Sequence, residues 1–366
     1  MAGDRVLVAM SGGVDSSVTA LLLQEQGYEC VGATMRLCDR RYGSDGTRLQ
    51  GDLEALNASD IEDAREVCDL LGIEHHVLDM REDFERCVVA PFVDAYERGE
   101  TPNPCVTCNK HIKFGALFDK ALELGCSYIS TGHYAKVSHE PDGRWSLARA
   151  RDLTKDQSYV LYNLTQDRLA HVLLPLGGLE KIEVRRIAAE HGLAVSSKAD
   201  SEDICFVPGG DYARFLELYR GRPHEPGDIL DTSGNIVGRH SGIARYTIGQ
   251  RKGLGVAMGH PVYVCDKDPV ANTVTIGEKE DLQSRGCLVS EWNWIAEPPA
   301  PGVDLRALVK THYRQKPHPS ILKICEGGSV QIMYDEPYPK AVRGQSAVAY
   351  SGDMVVGGGV IDGPIV

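Results

Sequence analysis

Three stretches of this 366-residue sequence carry residue types that can do chemistry. The first is Ser11-Gly12-Gly13-Val14-Asp15-Ser16-Ser17, set between an apolar run, Val6-Leu7-Val8, and a helical pattern from Val18 to Leu23. Adjacent glycines let a backbone turn sharply and approach a ligand closely. Unpaired N–H groups at a helix start, joined by the hydroxyls of Ser11, Ser16 and Ser17, make a cradle for an anion. No Lys follows the glycines, so this is not the GxxxxGK[ST] phosphate loop. The second stretch is Thr101-Pro102-Asn103-Pro104-Cys105-Val106-Thr107-Cys108-Asn109-Lys110, a loop held in shape by its two prolines. Lys110, His111 and Lys113 follow Cys108 at an expected helix start, which predicts a lowered thiol pKa and a better nucleophile. The third runs from Lys198 to Phe206, where Cys205 stands among polar residues and is poorly placed for a core.

Residues 1–135 alternate strand and helix patterns that would hold the first two stretches. Val6–Met10, Cys30–Met35, His75–Asp79 and Tyr128–Thr131 read as strands. Residues 16–26, Ser59–Leu71 and Ile112–Leu124 read as helices, with Ser59 as N-cap and Glu62 at the capping-box spacing. Such alternation predicts an α/β domain with a parallel sheet covered on both faces, and ligands at the carboxyl ends of its strands. Helical patterns continue at Asp156–Leu164 and Lys181–His191. From about residue 208 Gly and Pro become frequent and short alternating strands appear, at Val262–Val264, Thr273–Ile276, Ser329–Tyr334 and Ser346–Tyr350. These predict two smaller β-rich modules after the α/β domain, with units at 1–206, 207–283 and 284–366. Pro298–Gly302 is a boundary or a long turn.

Hydrophobic content of 42% and charged content of 25% are those of an ordinary soluble protein. No apolar run approaches the roughly 18 residues of a membrane span, no signal-peptide pattern precedes the first strand, and eleven cysteines without a leader predict a reducing cytoplasm. The formal net charge of −13 argues against nucleic acid, but its distribution does not. Residues 51–100 hold 15 acids against 4 arginines, whereas 305–323 has five Lys/Arg and no acid, and 239–252 has four and none. Local basic surface governs phosphate binding. His75-His76 and the alternating Trp292 and Trp294 read as packing residues. Cys30, Cys38, Cys68, Cys87, Cys126, Cys265, Cys287 and Cys325 have no paired spacing and read as structural.

Taken together, the stretches resemble the tRNA-specific 2-thiouridylases of the PP-loop ATP pyrophosphatase superfamily. The likeness runs along most of the chain: SGGVDSS at 11–17, Met35, TPNPxxxCNxxIKF at 101–114, TGHYA at 131–135, KDQSYxL at 155–161, DSxxICF at 200–206, YTIGQRKGLG at 246–255, YRQ at 313–315 and GQSAV at 344–348. It implies ATP-dependent replacement of the C2 oxygen of the wobble uridine by sulfur, with ATP and Mg²⁺ as cofactors. Implied partners are the tRNA anticodon stem-loop and a persulfide donor protein. By resemblance, Ala9, Met10, Ser11, Gly12, Gly13, Val14, Asp15, Ser16, Met35 and Gly132 hold ATP, and Asp15 supports the cradle through Mg²⁺ or by orienting the loop. Cys108 and Cys205 are the catalytic pair, with Cys205 the persulfide carrier. Asn103, Pro104, Cys105, His133, Lys155, Asp156, Gln157, Arg314, Gln315 and Gln345 face tRNA.

One departure stands out: the better-known form of the family has Asp where this chain has Cys105. Cys105, Cys108 and Cys205 leave two routes open. Three thiolates could ligate a [4Fe–4S] cluster with one iron open to sulfur, or persulfide–disulfide exchange could proceed with Cys105 a spare thiol. Zinc wants four closed ligands and is disfavoured. Two other classes remain as alternatives: another ATP-dependent ligase of the same fold, such as a lysidine synthetase, and a non-catalytic tRNA-binding module. The cysteine pair speaks against the first and the complete Asp15–Ser16 loop against the second.

Overall fold

The computed structural model describes residues 4–38, 58–198 and 204–365. Asp200 and Ser201 of the third stretch lie outside the described residues. Near the N-terminus a five-stranded parallel sheet runs in the order Glu74–Asp79, Glu29–Arg36, Arg5–Ala9, Tyr128–Ser130, Val172–Leu173. Its middle strand is apolar from Val6 to Ala9 because both faces are covered there. Val6 and Val8 pack with Val14 and Val18 of the helix Val14–Glu25, while Leu7 and Ala9 pack on the other side with Phe84, Phe92 and Ile112. The chain leaves this strand toward one side and returns on the other, so the strand order reverses between Arg5–Ala9 and Tyr128–Ser130. Open parallel sheets bind ligands at such a switch point. The Ser11–Ser17 loop and the Thr131-Gly132-His133 turn meet there.

Three expected helices differ from what forms. Ser59 lies inside the helix Ala58–Leu71 and is not its cap. The helical start expected after Cys108 lies earlier: Asn103 Oδ1 accepts from Cys105 N at 3.1 Å, and Pro104 opens a short helix, Pro104–Cys108. That helix widens into a π-helical stretch, Asn109–Ala116, before Leu117–Glu123 resumes the α form. Wide turns of this kind favour functional sites. Asp156–Leu164 is not a helix but turns around a short 3₁₀ segment, Ser158–Val160. Distant side chains occupy its backbone instead. Asn109 Nδ2 donates to Val160 O at 3.0 Å, and Asn293 Nδ2 donates to Tyr162 O and Leu164 O at 2.7 and 3.0 Å.

Beyond residue 208, four strands (Tyr263–Asp268, Thr273–Gly277, Gly227–Leu230, Ile236–His240) form a small sheet around Ile229, Val264, Val274 and Ile276. A third sheet follows. Gln283–Trp294, Val330–Pro339, His318–Ile324, Leu305–Lys310, Ser346–Ser351 and Met354–Ile365 pair in that order, and the last pairs back with the first, closing an antiparallel barrel. Closure removes the exposed edges. Pro298–Gly302 is therefore a turn within the barrel, between its first two strands in the chain. The sequence patterns did not reveal one hairpin, Ala135–His139 with Trp145–Arg149, that extends the barrel's sheet through Ala148 and Met354. It ties the parallel-sheet domain to the barrel. So do Tyr159 OH to Ser346 O at 2.7 Å and Gln345 Nε2 to Thr101 O at 2.6 Å.

Candidate functional site

A cavity of about 1160 Å³ opens at the switch point. One wall is the loop from Ala9 to Ser16. Gly12 has φ +68, which a side chain would strain. Gly13 is the N-cap, without a side-chain cap, so the first N–H groups of Val14–Glu25 face the cavity unspent. Ser16 Oγ accepts from Ser11 N at 3.2 Å and donates to Gly13 O at 3.1 Å, folding the loop on itself. Gly132 allows the neighbouring strand end to approach: a Cβ there would lie 2.9 Å from Ser16 N. This small-residue cradle and its free donors fit a nucleotide's phosphates.

Two lysines that the sequence patterns did not single out hold the cradle. Lys181 Nζ donates to both carboxylate oxygens of Asp15, at 2.7 and 2.8 Å, and Tyr134 OH donates to the same carboxylate at 2.7 Å. Lys198 Nζ donates to Gly12 O at 2.9 Å and to Asp60 and Asp63 at 2.9 and 2.5 Å. Of the two roles expected for Asp15, the geometry serves loop orientation: its carboxylate is already engaged by an ammonium and a phenol.

The thiols occupy another wall. Cys108 is buried, Cys105 and Cys205 are exposed, and all three line the cavity. The lowered pKa expected for Cys108 is not found. Burial pushes its thiol up to about 12; Lys113 pulls the other way and loses, and Cys205 and Cys105 add upward pushes. The helix N-terminus expected there belongs to Asn103 and Pro104, and Phe114 and Ile112 beside Cys108 belong to the apolar core. A raised pKa favours the neutral thiol, so ionisation is deferred from near pH 9 towards pH 12. At pH 8 buried Cys108 is held as the neutral thiol, whereas Cys205 is open to solvent. Iodoacetamide at pH 8 is therefore expected to alkylate Cys205 more than about a hundredfold faster than Cys108, read by peptide mass spectrometry. Comparable rates would show that Cys108 is a resident thiolate.

Among the described residues, no three His, Cys, Asp or Glu side chains are disposed to hold a metal ion. Cys105, Cys108 and Cys205 all face this one cavity, and both Cys105 and Cys205 are close enough to Cys108 to act on its charge. None of the eleven cysteines is joined in a disulfide. Cys38, expected to be structural, also lines the cavity.

Of the other expected site residues, Met35, Pro104, His133, Lys155, Asp156, Gln157, Arg314 and Gln315 line this cavity. His133 is buried, and burial, with Lys113 adding to it, drives its pKa well down. The imidazole is thus neutral, its Nδ1 2.6 Å from Thr131 Oγ1. Asn103 and Gln345 lie elsewhere: Asn103 caps its helix beside a separate cavity of about 250 Å³, and Gln345 braces the Thr101 carbonyl. The basic segments also part company. In 239–252, Arg239 and Arg245 pair with Asp228 and Glu217 at 3.5 and 3.0 Å. In 305–323, Lys310, Arg314 and Lys316 line the cavity.

Known proteins match this chain end to end. Residues 4–209 match the family model described as tRNA methyl transferase HUP domain, 213–278 the tRNA methyl transferase PRC-barrel domain, and 284–361 the Aminomethyltransferase beta-barrel domain. The tRNA-specific 2-thiouridylase MnmA of Clostridioides difficile (strain 630) is 45% identical over 363 residues, covering 98% of each chain. The chain belongs to the tRNA-specific 2-thiouridylase family. The family's MnmA from Carboxydothermus hydrogenoformans is 46% identical, over 98% of this chain and 97% of its own. Solved structures are less alike. The U34-tRNA thiolase NcsA from Methanococcus maripaludis with its [4Fe-4S] cluster is 17% identical over 60% of this chain and 68% of its own. Its TM-score is 0.34, too low for its cluster to bear on the thiouridylase thiols here. Among the described residues of this thiouridylase-family chain, no helix is long and apolar enough to cross a membrane.

Proposed function

We propose that the protein uses ATP to activate the C2 oxygen of the wobble uridine in tRNA and replaces it with sulfur, by the persulfide route. The observation that carries this is one cavity shared by the Ser11–Ser17 cradle, the Cys108 and Cys205 thiols and the basic edge at Arg314 and Lys316. Family membership supports it: the relatives are named for tRNA 2-thiolation, which the thiol pair serves, although the domain descriptions speak of methyl transfer. Division into units at 1–206, 207–283 and 284–366 is part of the same proposal. The three sheets support it, with the 135–149 hairpin crossing into the barrel's sheet.

A uridine carbonyl oxygen leaves poorly; adenylated, it departs as AMP. The N–H groups at Gly13–Asp15 would stabilise charge on the departing pyrophosphate. Bound Mg²⁺ would screen the same charge. The base must leave the anticodon stack to enter the cavity. Neutral His133 has an Nε2 with no hydrogen-bond partner among the described residues and can hydrogen-bond the base. The terminal sulfur of a Cys205 persulfide forms a bond to C2 as AMP leaves. Cys108, deprotonated, then attacks the Cys205 sulfur. The S–S bond to the transferred sulfur breaks, its electron pair stays with the sulfur on C2, and a Cys108–Cys205 disulfide forms. The sulfane sulfur is reduced by two electrons as the two thiols are oxidised. A persulfide donor protein and an external thiol reductant would reload the site. A protein handling persulfide and charged tRNA substrates in this way works in the cytoplasm.

Incubation with ATP, Mg²⁺, unmodified tRNA and a persulfide donor is expected to give tRNA-dependent pyrophosphate release and 2-thiouridine in the anticodon digest. Pyrophosphate release without thiouridine would overturn the proposal in favour of another ligase chemistry. Cys105 separates the sulfur routes. On the persulfide route, Cys105→Asp keeps at least about half of the activity, and iron-free protein is fully active. Loss of activity together with iron and sulfide in that variant would establish the cluster route instead.

A further inference from the structure

Two cations on the cavity wall have no ion pair among the described residues, though the Asp156 carboxylate acts on one of them from a distance. Lys310 ends the barrel strand Leu305–Lys310 and is only 8% exposed, yet it lines the cavity. Its ammonium makes no hydrogen bond or ion pair with any described residue. Its neighbours are aromatic: Nζ stands 5.5 Å from the ring centre of Tyr159 and 5.6 Å from that of Tyr313. Arg149, at the end of the hairpin from the other domain, lines the same cavity, its guanidinium 4.6 Å over the Tyr350 ring. The buried Arg149 Nε has no partner.

The two cations are close enough to repel. Burial works hardest against the Lys310 charge, Asp156 opposes it, and Arg149 adds a smaller push in the same direction as burial. Asp156 is a divided counter-ion, since its carboxylate already accepts from Ala150 N, Ser158 N and Ser158 Oγ at 3.1, 3.2 and 3.0 Å. Tyrosine faces soften the burial of an ammonium but do not replace a counter-ion. Desolvating two neighbouring positive charges is unfavourable until an anion joins them. A purely structural Lys at this depth would be expected to carry its own carboxylate.

We infer that Lys310 and Arg149 form a phosphate subsite, separate from the Ser11–Ser17 cradle, that takes a phosphodiester of the RNA strand beside the reacting base. RNA is favoured over the nucleotide by position. Lys310 is followed by the turn carrying Tyr313, Arg314 and Lys316 at the cavity's basic edge, and Tyr313 lies near Cys105. The nucleotide's phosphates already have the loop cradle. Because one cation comes from the barrel and the other from the hairpin, a bound phosphate would bridge the two in the cavity that the thiols also line. The inference rests on the reading of this protein as a tRNA-thiolating enzyme.

The test compares wild type with Lys310→Met, which keeps the stem and removes the charge, with Lys310→Arg, and with Arg149→Gln. Binding of unmodified tRNA is followed by fluorescence anisotropy across a potassium chloride series, ATP binding by equilibrium dialysis, and folding by thermal melts. Lys310→Met and Arg149→Gln are each expected to weaken tRNA binding about tenfold near 0.1 M salt and to reduce the log–log salt slope by about 0.7. ATP affinity is expected to stay unchanged, and Lys310→Arg to keep the wild-type slope. Should Lys310→Met fail to fold, Arg149→Gln and Lys310→Arg still read the site. Wild-type slopes in the folded variants would overturn the subsite, and so would a loss of ATP affinity with tRNA binding intact, which would assign the phosphate to the nucleotide. Wild-type protein that neither binds tRNA nor forms 2-thiouridine would instead overturn the functional reading.

Discussion

In a Cys105→Ser background, Cys205→Ser and Cys108→Ser are each expected to reduce 2-thiouridine formation more than about a thousandfold, because each then removes a nucleophile that no neighbouring thiol in the cavity replaces. The two failures should differ. Without Cys205 no persulfide forms on the enzyme, so the tRNA should gain neither a thiocarbonyl nor a covalent link to protein. Without Cys108 the terminal sulfur can still reach C2, but the S–S bond to Cys205 has no thiol to cleave it. A tRNA–protein adduct, held through that disulfide and released by dithiothreitol, should then accumulate on denaturing gels. Exchange of Cys126 or Cys287, both buried away from the cavity, should leave turnover near wild type. Turnover by the Cys205 variant with a persulfide donor would refute the carrier role. Absence of the adduct in the Cys108 variant would refute the order of the two sulfur steps.

The raised pKa of Cys108 fits this order. A thiol that attacks last gains nothing from being a thiolate before the substrate arrives, and a neutral one is spared oxidation. Its ionisation is drawn out only when a disulfide sulfur stands in reach. The sequence pattern pointed the other way because it weighed the charges of Lys110, His111 and Lys113 along the chain. The core residues that surround the sulfur, Phe114 and Ile112 among them, decide the sign in space.

The same contrast marks what was legible from sequence. Ser11–Ser17 could be read because one contiguous turn does the work: glycines for the bend, hydroxyls and helix N–H groups for the anion. The parallel sheet could be read because strands buried on both faces are apolar throughout. The lysines that fix the loop could not, since Lys181 and Lys198 stand 166 and 186 positions from their partners Asp15 and Gly12. Asp156–Leu164 has helical apolar spacing, but its carbonyls go to Asn109 and Asn293, so tertiary partners override the local pattern. Gln345 carries a motif residue, yet its amide braces Thr101 rather than lining the cavity. A motif fixes which residues matter more readily than what each of them touches.

Asp15→Ala is expected to lower kcat/KM for ATP more than about a hundredfold while the protein still folds, and Lys181→Met is expected to do nearly the same. The reason is shared. Asp15 opens the helix that follows the cradle, and the Lys181 ammonium, 12% exposed, holds both of its oxygens. Losing either partner frees the first helical turn, and the N–H groups of that turn must already point at the phosphates to stabilise charge as it develops. If Asp15 acts through Lys181, the double variant should be no worse than the poorer single one, a strong departure from additivity. A metal-ligand role for Asp15 predicts something else. Lys181→Met would then expose the carboxylate and tighten Mg²⁺ dependence, and only Asp15→Ala would abolish turnover. Magnesium titrations of the two single variants and the double variant decide between these outcomes. Near-normal turnover by Lys181→Met beside an inactive Asp15→Ala would show that Asp15 serves the metal and not the loop.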